Sequence, residues 1–364
     1  MKIKRIEVYK LEIPFLERIV TSFTSYDNME ALVVKVSAGE HFGVAETTAV
    51  ASHSGESVGS ILAALEHLAP LVLGEDPREI RKIHEKMNHI DINNAAKAAI
   101  DIACHDLISK YYNVPLATLL GGVVQENFDT EHLVPIKPIE ETVAYTKKLV
   151  EEGYKIFELK VKGSKDDVKR VQATLDVLKP GSDVVIDFNR AGNALTVGRF
   201  INAIDPKQCN IFIEQPTGTL EETAEVRKNS RFPIIADELI KSLRDTVKVV
   251  NSGAGDAISI KLLVVGGFLP AMEIASYATA MGIPFRVDDM CVSRHGNTAS
   301  YVLASALHSI VNGTSTSTLL ADHEDIVPEG VSIDNGIASL KQQPGIGATI
   351  DFTKMGEAIA KWSL

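Results

Sequence analysis

The sequence predicts an α/β fold, a TIM-like barrel of seven or eight β/α units with an α+β N-terminal capping domain that the C-terminal tail completes. Three observations predict it. The chain has 364 residues, more than one hydrophobic core usually organises. Short β-branched strands and amphipathic helices alternate from about residue 131. Polar residues close these strands one after another, as in barrels whose reactive groups lie at the carboxyl ends of the strands.

The first unit begins with strands and continues with helices. Residues 4–12 and 31–37 have the apolar and β-branched composition of strands. Residues 93–112 carry small and apolar side chains at helical spacing, which predicts a helix with one buried face. This part of the chain is therefore predicted to form an α+β unit.

Further along, predicted strands recur about every 25 residues, the spacing of β/α units. An eighth strand is expected near Ile310. A doubly wound sheet is the alternative, but no glycine-rich phosphate turn follows the first of these strands. We place the capping unit at residues 1–125, the barrel at 126–330, and a segment returning to the capping unit at 331–364. The first seven predicted barrel strands are residues 133–136, 155–161, 183–188, 211–214, 233–236, 257–260 and 284–287.

Composition argues against several classes of partner. The formal net charge of −11 disfavours binding to nucleic acid or to an anionic membrane surface, because both rely on basic residues. No apolar run reaches the ~18 residues of a membrane span, and the N-terminus lacks the apolar segment of a signal peptide. The three cysteines are odd in number and far apart, as in a reducing compartment. We expect a cytoplasmic protein that binds neither nucleic acid nor membrane.

Three acidic residues close three successive predicted strands. Asp187, Glu214 and Asp237 are 27 and 23 residues apart (214 − 187 and 237 − 214), one β/α unit each. Carboxylates that meet at a barrel mouth repel one another unless a cation neutralises them. An incomplete shell of oxygen ligands suits Mg²⁺ better than Zn²⁺. The pattern predicts a metal site, whereas a salt bridge or helix cap is the alternative for any one acid alone.

Lysines close two further strands. Lys160 and Lys162 end the second barrel strand and share one face, because side chains alternate along a strand. Lys261 ends the sixth strand, on the opposite side of an eight-stranded mouth. Burial and nearby positive charge, from the metal and from Lys160, would lower the pKa of such a lysine toward neutrality and let it act as a base. A solvated surface position is the alternative for a single strand-end lysine.

The ordered set of strand-end lysines and acids resembles the muconate-lactonizing subgroup of the enolase superfamily, and the similarity extends along essentially the whole chain. The resemblance implies one Mg²⁺ per subunit, with Asn189 and Glu238 supporting its ligands. It also implies abstraction of the proton α to a carboxylate of a small-molecule substrate. We expect a homo-oligomer, from dimer to octamer. The matching motifs are Lys160-Val161-Lys162, Asp187, Glu214, Asp237, Lys261, the segment 95–101 and the turn 115–122.

In that subgroup two loops of the capping domain contact the substrate. By the resemblance, these loops are residues 17–28 and 47–56 of this chain. They are polar and carry small side chains. The expected substrate contacts on them are Thr24, Ser25, Tyr26 and His53.

The end of the seventh barrel strand carries the pair Asp288 and Asp289. The pair looks like the corresponding strand end of relatives that epimerise proline betaines, where acids face a cationic nitrogen, and a helix cap is the alternative. Those relatives add a nearby tryptophan, whereas the single tryptophan here is Trp362. Val292 stands where muconate cycloisomerases have glutamate, and residues 315–318 lack the Asp-x-Asp pair of dipeptide epimerases. These departures weaken the lactonizing and dipeptide interpretations.

The function predicted from these residues is 1,1-proton transfer by two opposed lysines, which racemises or epimerises a substrate. The expected substrate is an N-substituted or cyclic amino acid, a betaine or a dipeptide. Muconate-type cycloisomerisation and β-elimination on the same enolate are alternatives, and a non-catalytic metal-binding relative is a remote one. His105 and His295 are interpreted as structural residues.

Overall fold

The computed structural model describes residues 1–20, 25–48, 51–308, 314–315 and 326–364. Its N-terminal part opens with an antiparallel sheet of three long strands, β1 (Arg5–Val20), β2 (Ser25–Ala38) and β3 (His41–Thr48). Both faces of β2 are buried, because helices cover one side of the sheet and the C-terminal segment covers part of the other. The two strands predicted for this unit correspond to β1 and β2, and both are longer than predicted.

Five helices follow the sheet. The fourth is the helix predicted over residues 93–112, and it begins one residue later because Asn93 has a left-handed backbone, with φ of 53°. The prediction of a single buried face was wrong. This helix packs on β3 with one side and on barrel helices with another, so most of its length is buried. The helices are α1 (Ala51–Ser54), α2 (Val58–Val72), α3 (Ile80–Met87), α4 (Asn94–Tyr112) and α5 (Leu116–Leu119).

Strands and helices then alternate through the barrel. Each strand is short and buried, whereas several of its helices begin at a serine, threonine or asparagine whose side chain accepts from a backbone N–H of the first turn. The elements are β4 (Asn127–Val134), α6 (Ile139–Glu151), β5 (Ile156–Lys160), α7 (Lys165–Leu175), β6 (Asp183–Asp187), α8 (Ala194–Ala203), β7 (Asn210–Glu214), α9 (Leu220–Asn229), β8 (Ile234–Ala236), α10 (Leu243–Ser252), β9 (Ala257–Lys261), α11 (Leu262–Val265), α12 (Phe268–Ala280), β10 (Phe285–Asp288), α13 (Arg294–Ser305) and β11 (Thr314–Ser315).

The strands from β4 to β10 form one parallel sheet in chain order, and β11 closes it by pairing in parallel with β4. Tyr301 supports this closure, since its buried hydroxyl donates to the Thr314 carbonyl oxygen at 3.0 Å and to Thr130 Oγ1 at 3.3 Å. Ile310, where the eighth strand was expected, lies outside the described residues. The predicted TIM-like barrel is confirmed, with its eighth strand at Thr314–Ser315.

The first barrel strand differs from the prediction. It spans Asn127–Val134, whereas residues 133–136 were expected. Its first residues pair antiparallel with a hairpin, β12 (Ser332–Asp334) and β13 (Ile337–Ser339), before the strand joins β5 in parallel. The additional strand length therefore depends on a partner about 200 residues away in the chain.

The end of the chain returns to the first unit. β14 (Ala360–Ser363) pairs antiparallel with β1 and becomes the outer strand of the capping sheet, whose order is β14-β1-β2-β3. The predicted boundaries at 125/126 and 330/331 stay predictions. The β12–β13 hairpin lies on the barrel strand β4, so the C-terminal segment contacts both units. None of the helices in the described parts of the chain is both long and apolar enough to cross a membrane.

Candidate active site

Three of the predicted residues lie side by side at the carboxyl ends of consecutive strands. In the sheet register Lys160 on β5 is opposite Asp187 on β6, and Asp187 is opposite Glu214 on β7. The Lys160 ammonium donates to Asp187 Oδ2 and to Glu158 Oε1, each at 2.5 Å. This register brings a cation and two acids to one level of the barrel mouth.

The other side of the mouth has a similar arrangement. Lys261 on β9 is opposite Asp288 on β10 in the register. The Lys261 ammonium donates to Asp237 Oδ2 at 2.6 Å and lies 3.1 Å from Asp288 Oδ2. Asp237 follows β8 directly, so each of the predicted metal ligands occupies the end of its own strand, between β5 and β9.

Glu214 is the acid common to two groups of buried carboxylates. Oxygen atoms of Glu214, Asp187 and Glu158 lie within 4.8 Å of one another, and so do oxygen atoms of Glu214, Asp237 and Asp288. All of these donors are carboxylate oxygens, the ligand type that Mg²⁺ prefers. The donor set therefore fits a hard divalent cation centred near Glu214.

Carboxylates shift the pKa values of Lys160 and Lys261. Burial opposes the charge of Lys261, but Asp237 and Asp288 outweigh it and hold the pKa of this lysine well above its ordinary value. Burial likewise opposes the charge of Lys160, yet Asp187 and Glu158 raise its pKa well above the usual range. The protein's own carboxylates thus raise both pKa values, and the lowering expected from the charge of a bound metal stays a prediction.

Lys162 lies just beyond the end of β5, two residues after Lys160, and its side chain is exposed at the mouth. Its backbone N–H donates to Asp167 Oδ2 at 3.0 Å, and Asp167 also belongs to the capping box of α7. β5 and β9 are four strands apart in the eight-stranded barrel. Lys162 and Lys261 therefore come from opposite sides of the mouth, with the three acids on the strands between them.

Asn189 and Glu238, expected to support the metal ligands, contact each other. The backbone N–H of Asn189 donates to Asp187 Oδ1 at 2.7 Å, and its side-chain amide donates to Glu238 Oε1 at 3.4 Å. Burial raises the pKa of Glu238 to about 8, and Asp237 adds to the effect. His53 from α1 approaches the same pair, since its Nδ1 lies 3.9 Å from Glu238 Oε1 and 4.0 Å from Asp237 Oδ2. His53 thus links the capping domain to the barrel mouth.

The remaining predicted substrate contacts have different surroundings. Asp288 is buried in the barrel interior, where Lys261 and Arg286 contact it. Asp289 is half-buried, and Asn297 Nδ2 donates to its Oδ2 at 2.6 Å. Ser25 Oγ accepts from Arg18 Nη2 at 2.6 Å within the β1–β2 hairpin. Tyr26 is paired with Ile19 in that hairpin, and Thr24 lies outside the described residues.

Four buried polar residues of the site were missed at the sequence level. Glu158 precedes Lys160 by two positions and Arg286 precedes Asp288 by two, so strand alternation could have placed both inside the barrel. Glu131 precedes the predicted first strand, residues 133–136, so the strand pattern does not place it inside the barrel. Gln215 joins two mouth loops, since its Oε1 accepts from the backbone N–H of Asp237 at 2.9 Å. The missed residues are Glu131, Glu158, Gln215 and Arg286.

Comparison with known protein families explains this arrangement. Residues 5–121 match the family model of the mandelate racemase / muconate lactonizing enzyme N-terminal domain, and residues 141–354 match that of the enolase C-terminal domain-like fold. The protein belongs to the mandelate racemase and muconate lactonizing enzyme family. The predicted membership of the enolase superfamily is thereby confirmed.

Individual family members cover the whole chain. The N-succinyl-L-Arg/Lys racemase of Bacillus cereus is 32% identical over 363 residues, 96% of each chain. A crystal structure of N-succinyl Arg/Lys racemase from that organism matches with a TM-score of 0.93 at 29% identity, covering 100% of both chains. The cis-3-hydroxy-L-proline dehydratase of Roseibium aggregatum is 30% identical and also covers 100% of both chains. Family members of this length thus include a racemase and a dehydratase.

A dipeptide epimerase of the family has been crystallised with magnesium. The enzyme from Enterococcus faecalis, solved with Mg and the dipeptide L-Leu-L-Tyr, matches with a TM-score of 0.90 at 28% identity. The match covers 96% of this chain and 100% of that one. This relative shows that the fold can hold Mg and a small-molecule substrate together.

Proposed function

We propose that this protein is a Mg²⁺-dependent racemase or epimerase that moves the proton α to the carboxylate of an amino-acid derivative. The observation that carries the proposal is the position of Lys162 and Lys261 on opposite sides of the mouth, with Asp187, Glu214 and Asp237 on the three strands between them. A substrate held near the acids would have an amine on each face of its α carbon. Removal of a proton on one face and its return on the other inverts the configuration.

Asp187, Glu214 and Asp237 are the residues that would hold one Mg²⁺ per subunit. When bound, the ion would supply stabilisation for the negative charge that develops on the substrate carboxylate. The all-oxygen donor set and the magnesium complex of the related dipeptide epimerase support this assignment. The proposed ligands also explain why three acids are kept in a region where burial disfavours their charge.

The three lysines have separate roles in this proposal. Lys160, protonated beside Asp187 and Glu158, would donate a hydrogen bond to the substrate carboxylate. Lys261, which contacts Asp237 and Asp288, would return a proton to the α carbon on its own face. Lys162 is exposed at the mouth and would remove the proton from the opposite face. For the other enantiomer the roles of Lys162 and Lys261 are exchanged.

The substrate class follows from the relatives and from the acids near the mouth. The relatives include enzymes of N-succinyl amino acids and of dipeptides, in which the α nitrogen is substituted or bound in a peptide. We infer an N-substituted or cyclic amino acid, a betaine or a dipeptide as substrate. Asp289 is the acid we assign to its nitrogen side, because Asp288 is already occupied by Lys261 and Arg286.

The experiment is α-hydrogen exchange in D₂O with Mg²⁺, using a set of N-succinyl amino acids, dipeptides and betaines. We expect deuterium to enter the α position of a substrate that is also inverted. K162A and K261A should each lower the rate of inversion by at least about 10³-fold, because each removes one of the two proton carriers. In each variant, the α-hydrogen should still exchange with solvent in the enantiomer that the remaining lysine can deprotonate.

K165A is the matched control, since Lys165 is an exposed lysine three residues from Lys162, at the start of α7. It should leave inversion unchanged. Full inversion activity in K162A or in K261A would overturn the two-lysine proposal.

β-Elimination on the same enolate is the second candidate, and the similarity to the hydroxyproline dehydratase favours it. Cycloisomerisation is less well supported, because Val292 is buried where a glutamate was expected for that reaction. Products separate the candidates: racemisation retains every group, elimination releases water and forms a double bond, and cycloisomerisation closes a ring. The assembly as a homo-oligomer and the cytoplasmic location stay predictions.

A further inference from the structure

A buried arginine lies one layer beneath the barrel mouth. Arg286 is on β10, two residues before Asp288, and only 1% of its side chain is exposed. A guanidinium removed from water needs strong partners, because burying a charge without a partner is unfavourable. Its Nη1 donates to Glu131 Oε2 at 2.5 Å, and its Nε donates to Ser259 Oγ at 3.2 Å.

The remaining nitrogen of Arg286 contacts the central acid of the proposed metal site. Nη2 lies 2.7 Å from Glu214 Oε1 and 2.8 Å from Glu214 Oε2. Nearly equal distances place this nitrogen between the two oxygens, which is where a cation chelated by both oxygens would lie. Nη2 also lies 3.2 Å from Asp288 Oδ2. The inner side of the Glu214 carboxylate is therefore occupied by the protein itself.

This contact limits how Glu214 can bind a metal. Because Arg286 fills the position between the two oxygens, a metal on the outer side of the Glu214 carboxylate can bind only one of these oxygens. Mg²⁺ takes six ligands in near-ideal octahedral geometry, whereas Ca²⁺ takes six to eight and often binds a carboxylate through both oxygens. Single-oxygen ligation by Glu214 thus suits Mg²⁺ and disfavours Ca²⁺.

We propose that Arg286 is a positioning residue that restricts Glu214 to single-oxygen ligation and so makes the site select Mg²⁺ over Ca²⁺. The proposal rests on the proposed function, since it requires Glu214 to be a metal ligand. Glu131 is the second residue on which this arrangement depends. It is fully buried and accepts from Nη1 of Arg286, so it holds the guanidinium in the orientation that contacts Glu214.

The test compares metal affinities of the full chain by isothermal titration calorimetry with Mg²⁺ alone and with Ca²⁺ alone. The double variant E131Q/R286M replaces both partners of the buried pair with neutral side chains, so neither partner is left as an unpaired charge. Without Arg286, Glu214 can bind a metal through both oxygens, which favours Ca²⁺. We therefore expect the ratio of the Ca²⁺ Kd to the Mg²⁺ Kd to fall at least about tenfold. E131Q alone keeps the Arg286 contact and should leave this ratio within about threefold of the wild-type value.

Two results would overturn the inference. If E131Q/R286M binds both ions with the wild-type ratio, Arg286 only balances charge. If the wild-type chain binds no Mg²⁺, the proposed function fails, and the inference fails with it; that outcome is recognised in the wild-type titration alone. Should the double variant not fold, R286K replaces it. A lysine keeps the charge but lacks the planar fork that contacts Glu131 and both oxygens of Glu214 together, so an unchanged ratio in R286K also overturns the inference.

Discussion

Lys160 and Lys261 at the barrel mouth are each paired with more than one carboxylate. Lys160 contacts Glu158 and Asp187, and Lys261 contacts Asp237 and Asp288. Among the residues that the structure describes, the buried acids of the site outnumber its cations, and a bound divalent ion would offset the excess. These acids are Glu131, Glu158, Asp187, Glu214, Asp237, Glu238 and Asp288.

Mg²⁺ should therefore stabilise the protein. At a Mg²⁺ concentration of 100 times Kd, we expect the free energy of unfolding to rise by about 2.7 kcal/mol, because the ion binds the folded chain. Thermal unfolding with Mg²⁺ and with EDTA measures this change. D187N should weaken the stabilisation by removing a ligand, whereas D166N, at an exposed position on α7, should retain it. Equal stabilisation of D187N and wild type would argue against Asp187 as a ligand.

We expect His295 to make the free energy of unfolding depend on pH. It is the second residue of α13, is 1% exposed, and burial lowers its pKa to about 3. Its depressed pKa means that the unfolded chain binds the proton more readily between pH 6.5 and 3. The free energy of unfolding should consequently fall as the pH falls through this range, by about 1.4 kcal/mol per pH unit from this residue.

Urea unfolding at pH 6.5 and pH 5 tests the effect. H295Q should have a shallower loss of stability with acidification than the wild type. H67Q changes an exposed histidine on α2 and should keep the wild-type slope. A wild-type slope in H295Q would mean that His295 is not held neutral by burial.

At the scale of elements, one acid joins the capping domain to a barrel helix. Asp101 on α4 is fully buried and accepts from the backbone N–H of Phe268 at 2.6 Å, at the start of α12. His84 Nε2 lies 2.7 Å from the same carboxylate. Gly267, with φ of 111°, lies so close that an added Cβ would be 2.4 Å from the Asp101 carboxyl group. Asp101 thus serves as a helix cap supplied by another domain.

D101A should lower the free energy of unfolding by about 3 kcal/mol or more, because it leaves buried donors of His84 and α12 without their acceptor. Chemical denaturation measures the loss. D101N keeps the shape and one acceptor oxygen, so it should be affected less. D91A, at an exposed position before α4, is the control and should be near neutral. A D101A chain as stable as D91A would contradict the cross-domain cap.

At the scale of the whole molecule, the two ends of the chain meet. The register pairs Arg5 with Ser363 and Val8 with Ala360, and Trp362 packs against the core of the capping domain. Since β14 covers the edge of β1, it also protects that edge from pairing with other chains.

Deletion of residues 359–364 should lower the free energy of unfolding by about 3 kcal/mol and promote aggregation, because it removes a hydrogen-bonded strand and exposes an edge. Urea unfolding and size-exclusion chromatography measure the two effects. L364A is the control, since that side chain is 70% exposed. Unchanged stability in the truncated chain would show that β14 is dispensable for the capping sheet.

Most of the chemistry was predictable because strand ends are local features. The positions of Lys160, Asp187 and Lys261 at the ends of short apolar runs could be read directly, and the structure places each of them at a strand end. The first barrel strand was misplaced because its length depends on the distant hairpin β12–β13. The approach of Asp288 to Lys261 was not predicted, since it depends on strand register, and the lowering of the Lys261 pKa by a bound metal stays a prediction.

The barrel, its capping domain and the residue types at the mouth could be predicted from the chain alone, because alternation and strand spacing follow from local backbone geometry. The contacts of Arg286 with Glu131, 155 positions away, and with Glu214, 72 positions away, are visible only in the folded protein. The same holds for Asp101, which caps a helix 167 positions further along. Such contacts depend on the order and register of strands and on the packing of domains, so they have no periodic signal in the chain.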